Sequence, residues 1–458
     1  MRSILANSGR SLNDFVGVNA THPRPYRIRD WGQFGTLPCI PNNQKGYTLK
    51  RLLRTLILLV IRLFGAPGAR KAAQTAKVKL ETPRILLVRP DHLGDLIMTT
   101  PVFHALKQQA PNAHITVMVG PWSREVIERH PDIDSTLTCP FPGFQRAAQK
   151  ALTPYILLFK TAKQLQREHF DVGVNLRSDF WWGAALLYLA RVPLRIGYAL
   201  EPGKPFLTHA LPFHSPQHAT ISNLQLASAA LLSIAYPPLD EPYTPENYPL
   251  HFKPTTSEQQ WAAALLSNEG IDVDSALVII HPGSGAAVKL WRSSGWAICG
   301  DALTKSLTMS KPVRIMLTGS KYERPMLEEI ARSMQSPAVL VTGATIGQLA
   351  ALQAQALLVL SVDSGPLHLA VSQGTPTIQL FGPTDPRIFG PWGKEELHIV
   401  VASTFRCSSC PPIPCGRLDF SPQEVVDHPC VRLITEQQVL SEVDRLMEYL
   451  QRDMTIEQ

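Results

Sequence analysis

Short apolar runs alternate with stretches of helical periodicity along the chain from residue 84 onward. The apolar runs predict strands, and the amphipathic stretches between them predict helices. In this first series the predicted strands lie near 84–89, 114–119 and 171–176, and the helices near 97–109, 122–130 and 154–168. Such βαβ alternation is typical of a mainly parallel sheet.

A second series of the same kind begins near Leu277. Its predicted strands lie at 277–281, 313–318, 338–341, 357–362 and 376–381, and its helices near 295–305, 323–334 and 346–354. The two series together predict an α/β protein with two doubly wound halves.

A proline-rich stretch, 237–254, separates the two series and makes the natural domain boundary. We therefore expect an N-terminal domain at 84–255 and a C-terminal domain at 256–435. Thr435 and Gln438 then form a capping-box pattern, and apolar residues follow at helical spacing. This pattern predicts a C-terminal helix within 436–458 whose apolar face is core.

Residues 1–83 form a leader before the first predicted strand, and its first 46 residues predict a flexible segment without the apolar core of a signal peptide. A basic amphipathic helix is expected at about 48–66, because the stretch from Lys50 to Lys71 holds six basic residues, no acidic one and a run of leucines. Its uninterrupted apolar part is shorter than the roughly 20 residues that a membrane span needs, so we expect no crossing. The helix either lies in a membrane interface or packs on the body of the protein, and the sequence leaves both open.

Composition narrows the class of protein. Of the 458 residues, 45% are hydrophobic and 18% are charged, as in an ordinary folded protein with more than one domain. The net charge of +7 is modest for a nucleic-acid binder, and no nucleic-acid partner is expected. A charge of this sign does suit a surface of anionic lipid.

One segment, 361–370, carries the pattern of a strand, a sharp turn and a helix start. Asp363 stands where the strand ends, and Gly365 and Pro366 suit the turn. Amides of the turn would be free to bind an anion at the positive end of the helix dipole, and those expected are Gly365, Leu367 and His368. The segment therefore predicts a site for a nucleotide diphosphate, although a capped helix without a ligand has the same pattern.

Three motifs give the chain a resemblance to a known family. The first runs from Ile85 to Pro101 through Gly94-Asp95, the second from Ile280-His281-Pro282-Gly283-Ser284 to Lys289-Leu290-Trp291 and Trp296, and the third from Ser361 to Pro386. In order and separation they resemble the ADP-heptose:lipopolysaccharide heptosyltransferases, glycosyltransferase family 9, over roughly 84–435. The resemblance implies the GT-B architecture, two doubly wound Rossmann-like domains that face a central cleft.

The resemblance also implies roles for two residues. Asp95 matches the aspartate that serves the family as general base, and Lys289 matches the lysine that meets the donor phosphates. The residues alone leave plainer alternatives open. Asp95 would serve equally well as the N-cap of a helix beginning at Leu96, and a lone loop lysine is usually solvated.

Further residues are candidates for contact with the two substrates. Arg89 and Arg177 follow predicted strands of the N-terminal half and could face an anionic acceptor, or be ordinary surface arginines. A carboxylate aimed at phosphate would be repelled, so we expect Asp363 to hold turn amides or a ribose hydroxyl. Glu323 is a candidate for ribose or adenine, and His368 for phosphate or merely a helix face. The full set of donor-binding candidates is Ser284, Glu323, Asp363, Ser364, Gly365, Leu367 and His368.

Metal chemistry is not required by the expected reaction, because a lysine and helix amides can supply the positive charge. Two Asp-x-Asp matches, 132–134 and 272–274, are interpreted as chance. Four cysteines near the end open with a metal-like Cys-x2-Cys pair, but their spacing departs from common zinc patterns, so a structural zinc and plain structural cysteines both remain open. The four are Cys407, Cys410, Cys415 and Cys430.

The resemblance implies an inverting, metal-independent transferase that moves heptose from ADP-L-glycero-D-manno-heptose to a lipopolysaccharide core acceptor. The N-terminal domain would hold the anionic glycolipid acceptor, and the C-terminal domain would hold the nucleotide-diphosphate sugar. The enzyme would be cytoplasmic and peripheral on the inner face of the cytoplasmic membrane. Transfer of another nucleotide-activated sugar to a different cell-surface glycan, and a non-catalytic sugar-nucleotide-binding relative, are the alternatives.

Overall fold

The structure is a computed structural model that describes residues 44–76, 80–145, 151–307, 311–405, 407, 410, 414–421 and 423–456. The predicted flexible leader therefore lies almost wholly outside the described residues. The chain divides into two compact units, an N-terminal unit, 40–251, and a C-terminal unit, 252–458. Their boundary falls within the proline-rich stretch.

The N-terminal unit contains one parallel sheet of six strands in the order β3-β2-β1-β4-β5-β6. The central strands β1 and β4 are buried apolar runs, as expected for a sheet covered on both faces. The strands are β1 Arg84–Arg89, β2 His114–Val119, β3 Ser135–Thr138, β4 Val172–Asn175, β5 Leu194–Tyr198 and β6 His209–Leu211.

Seven helices belong to the described part of this unit. They are α1 Gln44–Gln74, α2 Leu93–Ile97, α3 Thr100–Gln109, α4 Arg124–Glu128, α5 Thr153–Leu165, α6 Trp181–Leu189 and α7 Ala219–Ser233. The predicted helix at 97–109 is thus two helices, because Pro101 lies in the first turn of α3, where its missing N–H costs nothing.

Helix α1 packs on the N-terminal unit through one face. Leu58, Ile61 and Ala69 are buried in the same core cluster as residues of α5 and α6. The Tyr188 hydroxyl of α6 donates a hydrogen bond to the Arg62 carbonyl, 2.7 Å away. A side chain at Gly65 could not fit, because its Cβ would lie 2.5 Å from the Tyr188 ring. This face of α1 therefore packs on the body of the protein, which is one of the two positions that the sequence left open.

Helix α1 is also longer than predicted. Its segment Leu52–Gln74, with a mean hydropathy of 1.7, is the one helix among the described residues long and apolar enough to cross a membrane. This corrects the expectation that the segment is too short. Buried core helices and signal segments share this length and composition. Helix α1 also carries arginines, and one of its faces packs against α6.

The C-terminal unit contains a second parallel six-stranded sheet, in the order β12-β11-β10-β7-β8-β9. Its strands are β7 Ala276–His281, β8 Val313–Gly319, β9 Ala338–Thr342, β10 Leu358–Val362, β11 Thr377–Phe381 and β12 His398–Ala402. Its helices are α8 Thr256–Asn268, α9 Ser293–Leu307, α10 Arg324–Ser333, α11 Ile346–Gln353, α12 Gly365–Ser372, α13 Pro386–Phe389 and α14 Glu436–Ile456. The expected C-terminal helix is α14, and its apolar residues Val439, Val443 and Leu446 are buried in the core of this unit.

The two sheets have the same doubly wound order, which confirms the predicted fold class. In each sheet the order reverses once, between β1 and β4 in the first and between β7 and β10 in the second. Ligands of open α/β sheets bind at the carboxyl ends of the strands beside such a reversal. A ligand site is therefore expected at the loops after β1, β4, β7 and β10.

Candidate functional site

Asp95 lies just beyond β1, in the first turn of α2. The helix begins at Leu93 and its N-cap is His92, so the alternative in which Asp95 caps a helix from Leu96 is wrong. The Asp95 Oδ1 instead accepts from Arg89 Nη2 at 3.3 Å, and its side chain remains 29% exposed. A carboxylate that is held by a cation and still reaches solvent is suited to accept a proton from a bound hydroxyl.

Arg89, the last residue of β1, is buried and committed to the protein. Its Nε forms an ion pair with Asp91 at 2.9 Å, and its Nη1 donates to the Leu176 carbonyl at 2.8 Å and to Asn223 Oδ1 at 3.2 Å. The prediction that Arg89 faces an acceptor does not fit this position, because a side chain only 6% exposed offers little charge to a solute. Arg89 acts as the support of Asp95.

Arg177, which follows β4, is the more accessible of the two predicted arginines. It pairs with Asp91 and donates from Nε to Asp179 Oδ1 at 2.7 Å, and its side chain is 36% exposed. Burial works against its charge, but Asp91 and Asp179 raise the pKa of Arg177 overall. It therefore remains a cation at the edge where Asp95 lies, as an acceptor anion would require.

Two residues of this cluster were missed by the sequence reasoning. Asp91 forms ion pairs with both Arg89 and Arg177. Asn223 of α7 accepts from Arg89, and its side-chain amide donates to Thr99 Oγ1 at 3.1 Å. Thr99 in turn donates to the Asp95 carbonyl at 2.7 Å. Asp91 lies inside the first motif and could have been singled out, whereas nothing in the sequence marks Asn223.

In the C-terminal unit, Lys289 and Asp363 form an ion pair at the reversal of the sheet. Lys289 Nζ lies 2.6 Å from Asp363 Oδ2, and both side chains are mostly buried. The hydroxyl of Thr384, in the turn after β11, donates to the same oxygen at 2.6 Å. The partners described for the Asp363 carboxylate are thus side chains rather than turn amides, and Asp363 fixes the position of the lysine. The predicted contact with a ribose hydroxyl stays a prediction.

The turn between β10 and α12 is tied to β7. Ser361 Oγ donates to the His281 carbonyl at 2.6 Å and lies 3.1 Å from Ser364 Oγ. Helix α12 begins at Gly365, and the side chain of its N-cap, Ser364, makes no capping hydrogen bond. The Leu367 amide is not free as expected, since it donates to the Ser364 carbonyl at 3.2 Å.

His368 lies within α12 and is 3% exposed. Burial lowers the pKa of His368 to about 4. The charge of Lys289 lowers this pKa further, and the charge of Asp363 opposes the change. Its Nδ1 has no hydrogen-bond partner among the described residues. The residue is thus a neutral imidazole within the electrostatic reach of the Lys289–Asp363 pair, and the role in phosphate binding stays a prediction.

Glu323 lies beside the loop that follows β7. A Cβ on Gly283 would come 2.1 Å from Glu323 Oε1, so only glycine allows this approach. The Glu323 carboxylate also accepts from the Ser320 amide at 2.7 Å. Ser284, next in that loop, is half-buried and its Oγ accepts from the Ala286 amide at 3.4 Å. Both predicted donor-binding residues therefore lie at the carboxyl edge of the second sheet.

Two of the four predicted cysteines come together with a histidine that the sequence reasoning missed. Sγ of Cys407, Sγ of Cys410 and a ring nitrogen of His428 lie within 4.8 Å of one another. No disulfide joins the cysteines among the described residues. The two Asp-x-Asp sequences are occupied by structural contacts, for example Asp134 with Lys107 at 2.8 Å and Asp272 with the Asp274 amide at 3.0 Å.

The chain is similar in sequence to known enzymes. Residues 158–416 match the profile of glycosyltransferase family 9 (heptosyltransferase). Lipopolysaccharide heptosyltransferase 3 of Escherichia coli is 27% identical over 314 residues, which cover 67% of this chain and 85% of that protein. Lipooligosaccharide heptosyltransferase 2 of Haemophilus ducreyi is 24% identical over 333 residues, 69% of this chain and 88% of that protein.

Solved structures show the same fold. The family 9 glycosyltransferase of Veillonella parvula matches with a TM-score of 0.64 at 22% identity and covers 80% of this chain and 98% of its own. The ADP-heptose heptosyltransferase II of E. coli matches with a TM-score of 0.57 at 18% identity, over 81% and 99% of the two chains. The family profile spans more than half of the present chain, and the chain therefore belongs to glycosyltransferase family 9, the heptosyltransferase family, and is a glycosyltransferase with the GT-B fold.

Proposed function

We propose that this protein is an inverting, metal-independent heptosyltransferase that transfers heptose from ADP-L-glycero-D-manno-heptose to a lipopolysaccharide core acceptor. Two relatives named as lipopolysaccharide and lipooligosaccharide heptosyltransferases support this choice of donor and acceptor. The reaction is a single displacement. Asp95 accepts the proton of the acceptor hydroxyl, the oxygen attacks the anomeric carbon, and ADP departs with the electrons of the broken bond.

The observation that carries the proposal is the Lys289–Asp363 pair beside the first turn of α12. A departing diphosphate gains negative charge, and a preorganised cation with helix amides stabilises that charge without a metal. Because Asp363 and Thr384 fix the lysine, it need not lose conformational freedom when the donor binds. Arg177 is the proposed contact for an anionic acceptor, and Arg89 keeps Asp95 in place.

The test is sugar transfer with the full chain on deep-rough lipopolysaccharide, measured as ADP release and acceptor mass in EDTA. Asp95→Ala should lower turnover by about 10²-fold or more, since a general base contributes 10²- to 10⁴-fold. Lys289→Ala should fall comparably, whereas Asp240→Ala, at an exposed position outside the cluster, should match wild type. The anomeric configuration of the product, read by NMR, checks inversion.

Three outcomes would count against the proposal. Loss of transfer in EDTA that Mg²⁺ restores would contradict metal independence. Transfer from a different nucleotide sugar alone would replace the donor. Binding of ADP-heptose by a folded protein that never turns it over would make the chain a binding relative rather than an enzyme.

We further propose that the enzyme is cytoplasmic and docks on the inner face of the cytoplasmic membrane through an apolar surface on α1 and α5. On α1 the face turned away from the core exposes large apolar side chains, and Leu152, Ile156 and Phe159 form a second stripe on and just before α5. The members on α1 are Leu52, Leu53, Leu56, Leu59, Val60, Leu63 and Phe64, and Phe64 is 84% exposed. Exposed apolar patches of this kind mark interaction sites.

Charge favours anionic lipid as the partner of this surface. The segments 44–80 and 135–167, which contain α1 and α5, hold 14 of the 44 basic residues and none of the 37 acidic ones. Arg54 of α1 lies near enough to Tyr155 of α5 that its charge opposes the effect of burial, which raises the pKa of that tyrosine. Both helices pack on α6 and contribute to one core cluster. An apolar face rimmed by arginines and lysines suits the boundary of an anionic bilayer.

A further inference from the structure

The segment that links β12 to α14 is unusually irregular. Residues 403–435 contain, among those described, only two short 3₁₀ turns, Glu424–Asp427 and Val431–Leu433. Loops of this length without regular structure are uncommon in a compact domain unless something else fixes them. The segment nonetheless contributes buried side chains, including Cys407, His428 and Cys430.

Its polar buried groups converge on one point. Cys410 Sγ lies 3.2 Å from His428 Nδ1, and Cys407 Sγ completes a group whose ligand atoms all lie within 4.8 Å of one another. Bond lengths of about 2.3 Å to sulfur and 2.0 Å to nitrogen give ligand separations of roughly 3.5–3.8 Å in a tetrahedral zinc site, so only small side-chain rotations are needed. Two further thiols, Cys415 and Cys430, belong to the same segment, and Cys430 is buried in the core cluster that holds Cys407. Neither is among the three residues whose ligand atoms lie within 4.8 Å of one another, so the fourth ligand has to move toward the other three.

We propose that Cys407, Cys410 and His428, with Cys415 or Cys430 as the fourth ligand, bind a structural divalent metal, zinc by their ligand chemistry. The spacing is Cys-x2-Cys-x17-His-x-Cys if Cys430 is the fourth ligand. Thiolates with one imidazole form a closed tetrahedral set of the kind that structural zinc occupies, with no position left for catalysis. Such a metal would take no part in the chemistry of transfer, which is proposed above to be metal-independent.

The metal site also has a mechanical connection to the donor side of the unit. The His428 ring lies against Phe420, with ring centroids 3.8 Å apart, and Phe420 packs in a small cluster with Val288 and Val425. Val288 is the neighbour of Lys289. A metal that fixes His428 therefore supports the loop that presents this lysine.

A second connection leads to the other partner of Asp363. The Gly416 amide donates to the Pro383 carbonyl at 2.7 Å, next to Thr384. Cys430 packs against the same turn, where a Cβ on Gly382 would lie 3.1 Å from its Sγ. The segment that the metal would hold together thus contacts the neighbours of both Lys289 and Thr384, the two residues that bind Asp363. We infer that the metal maintains the geometry of the Lys289–Asp363 pair.

The first test is the metal content of the full chain, purified without chelators or added metal and measured by elemental analysis with a titration of free thiols. We expect close to one zinc ion per chain. Cys410→Ser and His428→Ala should lose it, His428→Cys should retain it, and Cys299→Ala, a buried thiol elsewhere in the same unit, should be unaffected. Of Cys415→Ser and Cys430→Ser, only one should lose the metal.

Cobalt substitution gives an independent readout of the ligands. Co²⁺ bound by thiolates shows a charge-transfer absorption, which should be present in wild type and Cys299→Ala and absent in Cys410→Ser. A metal-free protein whose four tail thiols are all titratable, or paired as disulfides, would overturn the proposal. So would full metal retention in both Cys410→Ser and His428→Ala.

The proposed effect on the pair is tested by ADP binding, and this part rests on the proposed function. When a thiol reagent removes the metal from wild type, ADP affinity should fall about 10-fold or more, because residues that hold a binding group in position typically contribute that much. Addition of Zn²⁺ with a reductant should restore the affinity. Unchanged ADP affinity in the metal-free protein would remove the supporting role and leave the metal site standing. Absence of ADP binding in the metal-loaded protein would instead contradict the donor assignment.

Discussion

At the scale of single residues, the two candidate centres share one arrangement. In each, a charged side chain is held in position by a buried or half-buried side chain of opposite charge. Arg89 holds Asp95, and Asp363 holds Lys289. Pairs of this kind cost desolvation when they form but leave a strong penalty if one member is removed, so they fix geometry more than they add stability. All four residues lie within the three motifs and were predicted as site residues, but Arg89 was expected to face the acceptor and instead holds Asp95. The pairing of Lys289 with Asp363 could not be predicted, since 74 positions separate the two residues.

Replacement of Asp363 tests this arrangement directly. In Asp363→Asn the lysine loses its ionic partner while the size of the side chain is kept, so Lys289 should lose its fixed position. We expect kcat/KM for the sugar donor to fall by about 10- to 100-fold, as when one partner of a buried charge pair is removed. Steady-state kinetics with a melting curve will measure this.

Thr384→Val is the matched variant for Asp363→Asn, because it removes only one hydrogen bond to the same carboxylate. Its loss of kcat/KM should be several-fold at most. If Asp363→Asn turned over like wild type while Lys289→Ala failed, the aspartate would not be what positions the lysine.

At the scale of elements, a strand or helix could be predicted only where its pattern of apolar and polar residues was clear. The long apolar strands, such as β1 and β2, were predicted with their observed bounds, because each is a run of apolar residues bounded by polar ones. Short or weakly apolar strands such as β6, of three residues, gave no usable signal. Helix α6 was missed for the opposite reason, since it is apolar on every side and a helix buried all round has no amphipathic period.

Vesicle binding tests the surface on α1 and α5. The full chain should sediment with vesicles containing phosphatidylglycerol and remain free with neutral phosphatidylcholine or at high salt. The double variants Leu63→Asp/Phe64→Asp and Ile156→Asp/Phe159→Asp should each lower binding about 10-fold, because a buried apolar side chain contributes on the order of 1.5–3 kcal/mol. Val273→Asp alters an exposed valine, 86% exposed, in the other unit and should bind as wild type does.

Two results would contradict the interfacial position. Equal binding by wild type and both double variants would place the contact elsewhere on the protein. Resistance of the native protein to extraction from membranes at alkaline pH would instead favour a spanning α1.

At the scale of the whole molecule, two sheets of the same order bring the motif residues to equivalent edges. The family resemblance was sufficient to predict this, since the loops after β1, β7 and β10 contain its three motifs. Among the supporting residues, Asn223 and His428 lie outside all three motifs, and Thr384 lies in the third motif without a role that the sequence predicted. They are positioned by tertiary packing, which no local pattern reports.

Acidity should destabilise the C-terminal unit. Burial lowers the pKa of His281, His368 and His398 to about 4, from a model-compound value of 6.5. Between these values the unfolded chain binds more protons than the folded one, so stability is complete above pH 6.5 and falls as the pH drops toward 4. The melting temperature should decrease over this window.

A matched pair of variants isolates the effect of one buried histidine. His398→Gln removes a titrating group outside the donor site, and its melting temperature should depend less steeply on pH than that of wild type between pH 6.5 and 4. His214→Gln changes an exposed histidine and should keep the wild-type slope. An equal slope in all three proteins would show that acid acts through other groups.

The ion pair at Lys289 has a consequence for which anions can bind there. Because Asp363 already satisfies the lysine, a small anion gains little by entering, since it must compete with a carboxylate that cannot leave. A larger ligand that also contacts other residues of the loops after β7 and β10 gains binding energy that offsets this competition. We therefore expect free phosphate to be a poor inhibitor, so that the unliganded enzyme stays available to its donor even where phosphate is abundant.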